Sequence, residues 1–244
     1  MMPRGLTIAL QLSTRLPTPR LADYESADLA RAAGWLPLVG LVIGGLVAAA
    51  AWTGGLVNPW VGALAGLIAW AWVTGAVHLD GLGDVADALG AAHRSPERFH
   101  EVLADPHAGS FAVVVIALQV AAKLVLLAAL PGAAMAAAIV LVPAWARWGA
   151  LVWSGVLPSL KPGLGRSFAG QGSTVVVIGW AVALVAASAW LAPALLSALA
   201  VVVIVAAYWR WRLGGITGDC LGASIEVTES LLLLALAIGA AIPH

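Results

Sequence analysis

Seven runs of predominantly apolar residues, at 34–53, 58–77, 109–130, 133–153, 174–192, 194–211 and 222–242, occupy most of this 244-residue chain. Each is close to the roughly 20 residues that a helix needs to cross the hydrocarbon core of a bilayer. None alternates polar and apolar residues as a barrel strand must, and lipid offers an open backbone no hydrogen-bond partner. The fold class that follows is all-α: a polytopic integral membrane helical bundle of about seven transmembrane helices, one membrane-embedded domain over residues 1–244. The two runs after Thr174, parted only by the turn around Pro193, read either as a hairpin or as one long broken helix. Composition closes off the soluble alternative. Charged residues make up 10% of the chain and hydrophobic ones 62%, whereas soluble domains carry about 25% charged residues. A net charge of zero with no basic cluster leaves nothing to attract nucleic acid. Cys220, the single cysteine, cannot close an intrachain disulfide. The short run Leu6–Leu12 is broken by Thr7 and Gln11 and leads into "TRLPTPR", so no secretory signal is expected there.

The loop cations sort onto one face. Arg4, Arg15, Arg20 and Arg31 precede the first run, Arg94 and Arg98 follow the second, Lys161 and Arg166 follow the fourth, and Arg210 and Arg212 close the sixth. The connections after the first, third and fifth runs hold neither Lys nor Arg. By the positive-inside rule the cationic face is cytoplasmic, with the N-terminus inside and, after seven spans, the C-terminus outside. The acids gather on the same face, which the rule does not demand of carboxylates. Whatever this chain does is therefore expected to happen from the cytoplasm.

Two acidic motifs carry the chemistry. In "HLDGLGDVADALGA", at 78–91, Asp80, Asp84 and Asp87 are spaced i, i+4 and i+7, a single stripe if the segment is helical. Gly81, Gly83 and Gly90 leave room beside it. Close carboxylates repel unless a cation or proton sits among them, and hard oxygen ligands suit Mg²⁺, which retains water and phosphate oxygens. A solvated helix end is the plainer reading. In "GGITGDCLGASIEVTESLLLL", Asp219, Glu226 and Glu229 again share one helical face, and the two glutamates reach into an apolar run, where charge is costly. Two such stripes at one membrane depth predict a shared site for one or two metal ions held by Asp80, Asp84, Asp87, Asp219, Glu226 and Glu229.

Lys123 and Arg147 lie inside apolar runs. Each reads as a counter-ion to the acids or as a ligand of substrate phosphate, for which Arg offers a fork and Lys a point charge; the phosphate role is preferred for Arg147, and Lys123 is left open. The glycine-rich connector "KPGLGRSFAGQG" holds Lys161 and Arg166 among backbone N–H groups that can approach an anion. His78 is a candidate base or partner of the Asp stripe. His93 and His100 read as surface residues, and no His or Cys spacing indicates zinc. The tryptophans mostly flank runs, as interfacial anchors do.

Taken together these residues resemble the cobalamin synthase family, the adenosylcobinamide-GDP ribazoletransferases. The likeness runs nearly the whole chain and rests on "TRLPTP" at 14–19, "PLVGLVIGG" at 37–45, "HLDGLGDVADALGA" at 78–91 and "GGITGDCLGASIEVTE" at 214–229. The two acidic motifs are the specific part. It implies an Mg²⁺-dependent enzyme of the bacterial inner membrane, working in late cobalamin assembly. Such an enzyme joins adenosylcobinamide-GDP to α-ribazole or its 5′-phosphate and releases GMP. It also implies catalytic roles for Asp80, Asp84, Asp87 and His78, and substrate contacts for Arg15, Asp105, Lys123, Arg147 and Arg166. At "DPHAG" the family often has arginine where this chain has His107. A CDP-alcohol phosphotransferase is the nearest rival, but its arginine after an Asp-Gly pair and its terminal aspartate pair are missing. A cation- or proton-coupled transporter also uses membrane carboxylates, usually within inverted repeats, and no internal repeat is evident. Besides the two substrates, the bilayer is an expected partner, and a homo-oligomer is left open.

Overall fold

The computed structural model describes residues 2–19, 21, 25–92, 97–103, 107–130, 132–160 and 173–241. Two helices, α1 (Arg4–Ser13) and α2 (Ser26–Ala33), precede α3 (Leu36–Gly55). Asn58 opens α4 (Pro59–Thr74), accepting at its side chain from the Val61 N–H at 3.0 Å, with Pro59 in the first turn. Gly75 ends α4 with φ +64°, and Ala76 follows at φ +57°. The Ala76 N–H returns to the Ala71 carbonyl at 3.1 Å, the closing bond of a Schellman turn. Two successive left-handed residues turn the chain by 85° into α5 (Val77–Ala92). The first acidic motif is thus helical, and it runs across the bundle rather than along it.

Beyond α6 (Glu97–Val102) come α7 (Ser110–Ala128), α8 (Ala133–Ile139) and α9 (Leu141–Val156). Then follow α10 (Thr174–Leu191), a 3-10 turn at Pro193–Ser197, α11 (Ala198–Leu213) and α12 (Gly218–Ala241). Among the described residues, six helical stretches are long and apolar enough to cross a membrane, and the bent pair α4–α5 makes a seventh crossing if it counts as one span. Outward faces carry large apolar groups, with Trp190 84%, Trp211 80% and Val175 78% exposed, a surface that belongs in lipid. The chain is a multi-pass membrane protein.

Helix directions follow from which residues meet. Gly40 packs on Ala144 and Gly44 on Val140, so α3 and α9 run oppositely; Gly62 against Ala51 does the same for α3 and α4. A Cβ at Gly40 would stand 2.5 Å from the Ala144 Cα, and such small-residue seams are how helices approach closely in lipid. Trp145 donates to Ser188 and Trp148 to the Val177 carbonyl, which sets α10 against α9. Trp209 donates to Ser224 at 2.7 Å while Gly239 packs on Ala194, so α11 runs against α12. These are the alternating directions that the loop cations predicted, and they make α10 and α11 a hairpin rather than one broken helix.

The tryptophans differ from expectation. Five of the twelve, Trp70, Trp145, Trp148, Trp153 and Trp209, are buried. Most of these spend their indole N–H as a tie to a neighbouring helix, as Trp153 does to the Val202 carbonyl at 2.9 Å. An indole tie stabilises where lipid cannot supply a partner, on average by about 0.6 kcal/mol.

Candidate functional site

The α4–α5 elbow lays the first acidic motif against the start of α12. A Cβ at Gly81 would stand 3.0 Å from the Asp219 carbonyl oxygen, and one at Gly222 would stand 3.3 Å from the His78 Cα. The glycines of the motif are therefore notches for neighbouring helices, not open room: Gly83 faces Ile116 and Gly90 faces Phe111, both on α7. Where α5, α9 and α12 meet the end of α1 there is a cavity of about 280 Å³. Its polar lining is Ser13, His78, Asp80, Arg147, Ser154 and Asp219. Thr217 caps α12, its hydroxyl accepting from the Cys220 N–H at 3.2 Å, and Gly218 in the first turn lines the same cavity. A helix N-terminus and a guanidinium thus face one space, both favourable to an anion. The start of α12 is held in place by the Ile216 N–H, which donates to the Pro158 carbonyl at 2.9 Å, and by the Leu160 N–H, which donates back to Ile216.

Arg147 is 1% exposed. Its Nη1 donates to Glu229 Oε1 at 2.6 Å and to the Pro143 carbonyl at 3.2 Å, while Nη2 stands 3.5 Å from His78 Nδ1. Its Nε has no hydrogen-bond partner among the described residues. The Glu229 Oε2 accepts from Lys123 Nζ at 2.6 Å, Lys123 also pairs with Glu226 at 2.7 Å, and Gln119 donates to Glu226 at 2.9 Å. Lys123 lies 4.3 Å from the Trp70 ring centroid, an arrangement that favours a cation. Two cations and two carboxylates form a neutral buried chain. At its far end Lys123, Glu226, Gln119 and Trp70 line a second, mostly apolar cavity of about 300 Å³ between α4 and α7.

The acids thus do not share one depth. Because α5 lies across the bundle, its stripe stays near one face, whereas α12 runs inward and rises about 15 Å from residue 219 to 229 at 1.5 Å per residue. Asp219 meets Asp80 at the cavity; Glu226 and Glu229, expected among the metal ligands, have Lys123 and Arg147 as partners. The Asp stripe itself is about 10 Å long, so its far end serves another neighbour. Asp87 accepts from the Gly109 N–H at 2.6 Å and the Ala112 N–H at 3.0 Å, capping α7, and Asp84 lies half-buried between the two ends. Losing that cap by Asp87→Ala is expected to cost about 0.5–2 kcal/mol, and Asp87→Asn part of it, because each carboxylate oxygen accepts one N–H and the amide of Asn offers a single acceptor. Thermal unfolding in detergent reads both.

Arg15 is exposed and sits on the elbow; its N–H donates to the Val73 carbonyl at 2.7 Å and its side chain covers Gly75. It does not line the cavity, although its neighbour Ser13 does. Asp105 and Arg166, with Lys161, the glycine-rich connector and His93, lie outside the described residues. Gln119 escaped the sequence reading, although it is the one glutamine within an expected span and stands four residues before Lys123.

Among the described residues no three His, Cys, Asp or Glu side chains stand close enough to hold an ion by themselves. Asp80 and Asp219 still fit Mg²⁺, which commonly takes one or two carboxylates and completes its shell with phosphate oxygens and water. The arrangement suits a phosphorylated substrate: Asp80 and Asp219 line the same cavity as the Arg147 guanidinium and the N-terminus of α12.

The comparisons agree with this chemistry. The sequence model of the family described as cobalamin-5-phosphate synthase matches residues 5–237. A protein of Thiobacillus denitrificans named adenosylcobinamide-GDP ribazoletransferase is 54% identical over 95% of this chain and 94% of its own length. Namesakes from Novosphingobium aromaticivorans and Laribacter hongkongensis are 52% and 50% identical, over 96% and 98% of this chain and 96% and 99% of their own. No solved structure matches. With its whole helical core covered, the chain belongs to the cobalamin-5-phosphate synthase family.

Proposed function

We infer that this protein is an adenosylcobinamide-GDP ribazoletransferase of the bacterial inner membrane, with its active site open to the cytoplasm. It transfers the cobinamide-phosphate part of adenosylcobinamide-GDP to α-ribazole or its 5′-phosphate and releases GMP. The observation that carries the reading is the cavity where Asp80, Asp219 and Arg147 meet, in a chain about half identical to proteins bearing that name. The cavity's size suits the diphosphate of so large a substrate, leaving its corrin and guanosine parts outside.

In the step itself a ribazole hydroxyl oxygen forms a bond to the cobinamide-side phosphorus. The phosphoanhydride bond to GMP breaks, and the hydroxyl proton passes to a base. Arg147 and the α12 N-terminus bind and orient the phosphoryl oxygens whose charge grows during the transfer. His78, beside Arg147 and in the same cavity, is placed to take the proton when its imidazole is neutral. Asp80 and Asp219 would hold Mg²⁺, with Asp84 adjacent. When bound, that ion supplies charge neutralisation across the diphosphate.

Purified protein in detergent, given adenosylcobinamide-GDP and α-ribazole, is expected to release one GMP per product formed, and to stop when EDTA removes Mg²⁺. No GMP release with Mg²⁺ present overturns the reading; release that persists in EDTA overturns the metal's part in it.

A further inference from the structure

Resting on that reading, we propose that Glu229 is the positioning residue of Arg147 rather than a ligand of the metal. Both oxygens of Glu229 are engaged, Oε1 by Arg147 and Oε2 by Lys123, each at 2.6 Å. At 0% exposure it faces no solvent, and Asp80 and Asp219 line the cavity without it.

What Glu229 does follows from which guanidinium nitrogens it takes. Nη1 is fully used by Glu229 and the Pro143 carbonyl. The remaining edge, Nε with Nη2, has only the 3.5 Å approach to His78 Nδ1, and Nε is buried without a partner among the described residues. An Nε–Nη2 edge is a two-donor fork that matches two oxygens of one phosphate. Rotating the guanidinium by one position would present a different edge, and the bond from Nη1 to Glu229 prevents it. A buried donor left unsatisfied is costly, so the protein keeps this edge free at some expense, which a bound phosphate removes. Lys123 completes the arrangement by balancing the second charge, and Gln119 and Glu226 fix Lys123 in turn.

Two variants test the assignment. Lys123→Met with Glu229→Gln removes one charge of each sign and keeps the network neutral. Glu229→Asp keeps all four charges but withdraws the carboxylate by one methylene. Both are expected to raise the KM for adenosylcobinamide-GDP, the double variant about tenfold or more, with kcat reduced less and the Mg²⁺ concentration for half-maximal rate unchanged. Equilibrium binding of adenosylcobinamide-GDP in EDTA is expected to weaken by the same factor, since the fork acts without the metal. If Glu229→Asp instead keeps wild-type KM and metal-free affinity, or raises the Mg²⁺ requirement, Glu229 does not position Arg147. The wild-type enzyme separates the two failures: absence of GMP release there overturns the function, whereas normal release with unaffected variants overturns only the role of Glu229.

Discussion

Asp80→Asn and Asp219→Asn are each expected to lower GMP release by about 10³-fold or more while membrane insertion and thermal unfolding in detergent stay near wild type. The magnitude comes from the several kcal/mol that metal stabilisation of transition-state charge is worth, at about 1.4 kcal/mol per tenfold in rate. The contrast between activity and stability comes from the structure. Neither carboxylate has a hydrogen-bond or ion-pair partner among the described residues, and both border the cavity rather than the core. Asn keeps the shape and removes the charge, so only a role that needs the charge is lost. Near-normal turnover of both variants at limiting Mg²⁺ would remove these residues from the metal site. Asp87→Asn provides the internal contrast: it can keep only one of the two N–H bonds that Asp87 accepts, so a capping role shows as lowered stability with activity retained, the reverse of a metal-ligand role.

Much of this architecture was legible in the sequence. The lengths of apolar runs set the spans, and the loop cations set their directions, because each rests on a constraint that bilayer thickness and charge impose locally. The convergence of "HLDGLGDVADALGA" with "GGITGDCLGASIEVTE" was legible too, as two acidic segments on one face. Their internal geometry was not. Whether an acid at i+7 stays at the same depth depends on whether its helix lies across the bundle or along it, and the 85° elbow at Gly75–Ala76 decides that for α5 alone. The same elbow explains why the three aspartates part company, Asp80 to the cavity and Asp87 to the α7 N-terminus. Lys123, Arg147, Glu226 and Glu229 each stood out as charges in apolar runs. Their pairing joins residues about a hundred positions apart, such as Lys123 and Glu229, and no local pattern encodes that. Tryptophans near span ends carry the composition of membrane anchors whether they point to lipid or inward, so the burial of Trp145 and Trp153 needed the packed bundle.

The largest effect on stability is expected at Arg147. Arg147→Met leaves Glu229 with Lys123 alone, and the four-charge network keeps one negative charge without a counterpart at a site that is 1% exposed. Breaking a buried pair by removing one partner costs about 3–5 kcal/mol, which for a chain of this size is a fall of about 6–20 °C in Tm. Arg147→Lys behaves differently. An ammonium still opposes Glu229, so most of that loss is avoided, but the Nε–Nη2 edge is gone and with it the two-point grip on phosphate. The expected result is a Tm within a few degrees of wild type together with a KM for adenosylcobinamide-GDP raised about tenfold. A wild-type KM in Arg147→Lys accompanied by a lowered Tm would make Arg147 a counter-ion only. The Nε without a partner among the described residues favours the first outcome: beside Nη2 it offers the two-donor edge that one phosphate satisfies.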